Sequence, residues 1–136
     1  MFLLLSKEII DLSKLRLDIA KERISFAKEI FKIGDYKTVA NRSYSAMRAV
    51  LALNNIDSKK HSGIIAEFRK NYLKTEILPK DLSFTIDELV EVRQGSDYDD
   101  FYLISKSEVE QQLINAEIFV NEVERYLSSI YMEGLK

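Results

Sequence analysis

Cysteine is absent from the sequence, histidine occurs once (His61), proline once (Pro79) and glycine four times. Without cysteine there is no disulfide framework, no thiolate metal site and no cysteine nucleophile. One histidine excludes a multi-histidine metal site within a single chain. Scarce Gly and Pro, beside many Leu, Ile, Glu and Lys, favour helices over strands. A large excess of either charge is also missing. The net charge of −2 gives no global basic field to attract nucleic acid. RNA binding would need a local patch or two chains acting together. The apolar start Met1–Leu5 is far too short to span a bilayer. It lacks the basic region and cleavage site of a signal peptide. It reads as a lead-in that packs on the bundle or on a partner, with no membrane association and a cytoplasmic location expected.

The 136 residues fit a single domain, 1–136, and 46% of them are hydrophobic. A helical domain of this size can bury a core without staples. No Pro/Gly/Ser-rich linker, low-complexity run or internal repeat divides it. The first helix is expected from about Ser6 to Ile33, with Leu12, Leu15, Ile19, Phe26, Ile30 and Ile33 as its apolar stripe. Gly34 as the C′ residue and Asp35 as N-cap make a tight helix-helix turn. A second helix follows, Tyr36 to about Leu53, with Tyr36, Ala40, Ser43, Tyr44, Met47, Val50 and Leu51 on one face. Ile56 to Gly63 reads as a polar connection into a shorter helix through Ile64, Ile65, Phe68 and Tyr72. Leu78-Pro79-Lys80-Asp81 opens a fourth helix. Ser105 to Glu108 is a capping box before the last helix. There, Val109, Leu113, Ala116, Val120, Val123, Leu127 and Ile130 alternate steps of four and three. The fold class expected is all-α, an antiparallel up-and-down bundle of four main helices plus a short fifth.

One stretch concentrates chemistry: Val90-Glu91-Val92-Arg93-Gln94-Gly95-Ser96-Asp97-Tyr98. Leu82, Ile86, Leu89 and Val90 make a helix face that Arg93 continues. Gly95 is expected to weaken the helix, and a loop is expected from Asp97 to Ile104. An arginine on a core-facing stripe is costly to bury without a partner. Asp97 is within i,i+4 reach if the helix continues. The plain reading is a capped helix end with an internal ion pair. The sharper reading is an anion or phosphate site built on Arg93.

Asn41-Arg42-Ser43-Tyr44, Arg48-Ala49-Val50-Leu51, His61-Ser62-Gly63-Ile64-Ile65, Arg93 with Asp97-Tyr98, and Asn115-Ala116-Glu117 with Phe119-Val120 occur in that order. Together they resemble the HEPN domain (higher eukaryotes and prokaryotes nucleotide-binding), in the branch of small stand-alone prokaryotic members with an Arg-x-x-x-Asp-Tyr motif. The resemblance spans Leu12 to Leu127. It implies a homodimer, a minimal nucleotidyltransferase partner in a toxin-antitoxin module, and a metal-independent ribonuclease or nucleotide-binding site in the dimer cleft. It implies no cofactor. Catalytic members pair an Arg that holds the scissile phosphate with a downstream His. No histidine follows Arg93 here, and Tyr44 to Arg48 is shorter than usual for the branch by about one turn.

The resemblance carries Arg93 over to the catalytic site and leaves the histidine's role without an owner; Asp97 and Tyr98 are the catalytic candidates beside it. In-line attack of a 2′-hydroxyl needs a base, an acid and a cation for the phosphorane. Arg93 suits the cation role by its bidentate geometry. Asp97 beside it is expected below the ordinary carboxylate range, which weakens it as a base near neutrality. His61 reads as a helix N-terminal residue packing on its neighbouring turn. Asp97, Asp99 and Asp100 lack EF-hand spacing and read as a solvated acidic loop that opposes RNA. The resemblance also makes Tyr98, more than Tyr102, an acceptor for AMP. The short basic pairs Lys59-Lys60 and Arg69-Lys70 read as solvated. The alternative to an enzyme is a non-catalytic helical binding protein. In it, Arg93, Asp97 and Tyr98 form a structural network or dock a partner.

Overall fold

The computed structural model describes residues 7–51, 61–98 and 105–134; of some of these, including residues 92–98, it describes the backbone only. Five α-helices follow one another: α1 (Lys7–Ile33), α2 (Tyr36–Val50), α3 (His61–Phe68), α4 (Leu82–Tyr98) and α5 (Lys106–Gly134). Among the described residues there is no strand. No described helix is long and apolar enough to cross a membrane.

The turn between α1 and α2 forms as its residues dictate. Gly34 takes φ +94°, a left-handed conformation open to glycine, and its N–H closes on the Ile30 and Phe31 carbonyls. Asp35 then caps α2, its carboxylate accepting from the Thr38 N–H at 3.3 Å and the Thr38 hydroxyl at 2.6 Å. The capping box of α5 is complete: Glu108 N–H donates to Ser105 Oγ, and Ser105 N–H donates to Glu108 Oε1, both at 3.1 Å.

Lys21 pairs with Glu124, and Lys28 pairs with Glu117 at 2.5 Å, so α5 runs antiparallel to α1. Glu88 meets Asn115, and only the short stretch between Tyr98 and Lys106 joins the two helices, so α4 and α5 are an antiparallel pair. α4 packs on α2 and α5 and does not touch α1 among the described residues. The core fills the space between: Val39, Met47 and Val50 from α2, Phe68 from α3, Ile86 and Leu89 from α4, Val109, Phe119 and Val123 from α5. Phe68 and Phe119 rings lie 5.4 Å apart at its centre.

Several expectations need correction. The stripe assigned to α1 is not its buried face. Leu15, Phe26 and Ile33 are 56%, 55% and 80% exposed, while Ser13, Leu17, Ala20, Ile24 and Ala27 are buried. Small residues win because they let α2 come close. Next, the helix of α4 does not end at Gly95 but continues to Tyr98, so Asp97 is helical rather than in a loop. A single glycine costs about 1 kcal/mol, too little to stop a helix held by packing. Regular helix also begins only at Leu82, after i→i+3 turns from the Pro79, Lys80 and Asp81 carbonyls. In addition, α3 passes into a π-helix, Arg69–Leu73, which closes with Lys74 N–H on the Arg69 carbonyl at 2.8 Å. Arg69 is therefore no solvated cation: it pairs with Asp87 and donates to the Ser83 carbonyl at 3.3 Å, tying this segment to α4. His61 is the first residue of α3, the helix N-terminal position expected of it, so the polar connection ends before it rather than at Gly63. Leu53 and the rest of the connection through Lys60, with Lys59-Lys60, lie outside the described residues, as does Met1–Leu5.

Candidate functional site

The candidate site is the last two turns of α4. Arg93 is seven residues beyond Ile86 and four beyond Leu89, both fully buried, so helical register continues the core-facing line through it. Because the helix persists past Gly95, Arg93 and Asp97 stand at i and i+4 in one unbroken helix, with Tyr98 next in line. The side chains of Arg93, Asp97, Tyr98 and His61 lie outside the described residues, and Asp99, Asp100 and Tyr102 do so entirely.

This end of the bundle also holds the start of α2 and the start of α5. Lys106 sits with its ammonium 6.0 Å from the centroid of Phe31, whose ring lies 5.8 Å from Tyr36. Between α4 and α5 runs a chain of polar side chains. Gln111 Nε2 donates to Asn115 Oδ1 at 3.0 Å, and Asn115 Nδ2 donates to Glu88 Oε2 at 2.7 Å. Asn115 is buried and Glu88 half-buried, so the amide fixes the carboxylate in a region of low dielectric. One turn earlier on α5, Gln112 is buried at 5% exposure with Oε1 unpaired among the described residues. Ser43 on α2 is buried with its Oγ in the same condition. A buried polar atom without a partner costs about 1–3 kcal/mol. The two helices that flank α4 thus each carry an open acceptor.

Asn115 belongs to a motif already singled out, whereas Glu88, Gln111 and Gln112 were not anticipated. Gln112 and Asn115 interrupt the apolar face of α5 between Val109 and Phe119, and polar residues at core positions of a helix are the signal that could have found them. Among the described residues, no group of three or more His, Asp or Glu is placed to hold a metal ion.

Comparison with known proteins gives three matches. Residues 13–126 match the HEPN domain family. A protein of Methanocaldococcus jannaschii named "Putative toxin MJ0142" is 37% identical over 98 residues, covering 69% of this chain and 67% of its own. A Thermotoga maritima protein named "UPF0332 protein" is 26% identical over 97 residues, covering 68% and 74%.

Proposed function

The chain belongs to the HEPN domain family, and from that premise we propose that it is a toxin-like member, one half of a toxin-antitoxin module with a minimal nucleotidyltransferase. Its activity is metal-independent cleavage of RNA in the cytoplasm, centred on Arg93 in the cleft of a homodimer. The observation that carries the reading is the unbroken helix through Gly95, which sets Asp97 and Tyr98 four and five residues past Arg93. The relative named as a toxin supports the biological half of it.

The chemistry needs three roles. The Arg93 guanidinium holds the scissile phosphate through two parallel N–H donors and stabilises the phosphorane. The 2′-hydroxyl attacks the adjacent phosphorus and gives its proton to the Asp97 carboxylate. The P–O5′ bond breaks, and the leaving oxygen takes the proton of the Tyr98 hydroxyl. A cyclic phosphate and a free 5′-hydroxyl result. Transfer of AMP to Tyr98 by the nucleotidyltransferase removes that proton donor and silences the site.

A second reading is favoured by the open acceptors on Gln112 and Ser43. A guanidinium buried against them is structural, and the protein then binds rather than cuts. One experiment separates the two. Purified protein is incubated with mixed single-stranded RNA in EDTA, beside Arg93→Ala matched for folding by circular dichroism. Cleavage that disappears in the variant supports the enzyme. No cleavage by wild type, with Arg93→Ala less stable, moves the weight to a binding protein.

A further inference from the structure

The sequence carries no excess of positive charge, so contact with nucleic acid needs a local patch. The packing of α1 on α2 builds one. Arg23 of α1 is half-buried, and its Nη1 donates to the Ser45 carbonyl of α2 at 3.3 Å. Beside it, the Arg42 guanidinium of α2 lies over the Phe26 ring of α1, 5.6 Å from its centroid. Glu22, Arg23, Phe26 and Arg42 line an open depression of about 310 Å³. Arg48 stands three residues beyond Ser45, as Arg42 stands three before it, and is half-buried. Elsewhere Arg69 pairs with Asp87 and Arg125 with Glu122. No ion pair among the described residues includes Arg23, Arg42 or Arg48.

These cations are held in place without being neutralised. The Ser45 contact uses one N–H of Arg23 and leaves the rest of its fork open. Phe26 is 55% exposed, so a ring and two guanidinium groups open on the same depression. Glu22 sets one acid against the two cations there. A guanidinium already oriented binds an oxyanion at a smaller loss of side-chain freedom. A carboxylate would satisfy the charge alone. A nucleotide satisfies both features: its phosphate takes the N–H donors, and its base stacks on the ring or on the guanidinium plane. The depression is at the small end of the range for ligand clefts, about 300–1,000 Å³. It suits one unit of a strand passing over it better than a ligand enclosed within it.

We propose that the α1–α2 depression is a second RNA-binding site, which takes one nucleotide of a single strand. A backbone phosphate lies between Arg23 and Arg42, and a base stacks on the Phe26–Arg42 pair. Arg48 adds charge along the path of the strand. The inference rests on the reading of RNA as the substrate and adds a place that grips it away from the bond that is cut. That place is remote from the Arg93 helix, since α1 does not touch α4 among the described residues. Stacking of this kind tolerates any base, so the site holds a strand without selecting its sequence.

The test is fluorescence anisotropy with a short labelled single-stranded RNA of mixed sequence. Its 2′-hydroxyls are methylated, so it cannot be cut and binding is read apart from cleavage. Arg42 is exposed, so Arg42→Gln keeps its fold, checked by circular dichroism. That variant is expected to bind about fivefold more weakly or worse, with the slope of log K against log salt reduced by about 0.7. Arg42→Lys is expected to keep the slope and still bind more weakly, because the charge remains and the flat group is lost. Glu22→Gln is expected to bind more tightly, and Lys74→Gln, on a distant turn, to match wild type. A wild type that binds no RNA, or an Arg42→Gln that binds as wild type does, would overturn the site. AMP that displaces the strand at the same concentration as unlabelled RNA would overturn it too, since the depression would then hold a free nucleotide. The cleavage reading fails separately. Arg42-dependent binding by a wild type that cuts no unmodified RNA leaves this site standing without the ribonuclease. Cleavage that needs Arg93, with binding indifferent to Arg42, does the reverse.

Discussion

The outer face of α1 and the inner face of α5 look alike as strings of letters and differ in space. Both keep helical spacing, and both are built mostly of large apolar residues. On α5 that line is the core: Val109, Ala116, Phe119, Val120, Val123 and Leu127 are all but inaccessible. On α1 it is surface, and the core is made by a quieter set, Leu17, Ala20, Ile24 and Ala27. The difference follows from what each helix faces. α1 lies along α2, whose own buried residues include Ala40, Ser43 and Ala46, and small residues on both sides allow the backbones to approach. On α5 the Phe119 ring packs on Phe68 and the Tyr126 ring on Tyr72, so large side chains meet there. Periodicity reports that a helix has an apolar side. It does not report which of two apolar sides the same chain covers.

Truncation at matched residues gives the largest contrast. Phe119→Ala should destabilise the protein by about 3–5 kcal/mol in urea unfolding, because it empties the centre of the core. Phe26→Ala should leave the stability of the isolated chain within about 0.5 kcal/mol. Equal losses for the two would show that the α1 line is core after all. A smaller effect tests the close approach of α1 and α2. Ala20→Leu adds volume where none is free and should cost about 1–3 kcal/mol, while Leu15→Met on the outer line should be nearly silent. The smallest concerns the ion pairs between the two helices. Lys28 and Glu117 are each more than 40% exposed, so Lys28→Ala should shift stability by at most about 1 kcal/mol, an effect that salt erases.

What the sequence made legible was local chemistry. Gly34 and Asp35 announced their turn, and Ser105 and Glu108 their cap, because each motif satisfies its own backbone groups within four residues. The lines on α2 and α5 could be read because each of those helices has one strong apolar side. The choice between the two sides of α1 depends on a neighbour that no window along the chain contains. The π-helix at Arg69–Leu73 has no residue signature either; it forms where Phe68, Tyr72 and Leu73 must all be buried, which regular helical spacing serves poorly. Gly95 misled in the opposite sense, as packing outweighed its propensity. Of the site, the placement of Arg93 within the helix that follows Pro79 was readable. The amide chain beside it was not, since Glu88 and Asn115 are distant in sequence and only the α4–α5 pairing joins them.

That chain of Gln111, Asn115 and Glu88 works as a ruler. An apolar interface between two helices tolerates sliding by a turn, because one layer of Leu or Val resembles the next. A buried amide bonded to a half-buried carboxylate does not, since sliding would leave the Asn115 amide in the interior without its partner. The alignment of α4 along α5 is therefore locked at Glu88, five residues before Arg93, or about 7.5 Å along the axis. The backbone of Arg93 is thereby set at a fixed height above the start of α5 by a contact more than a turn away.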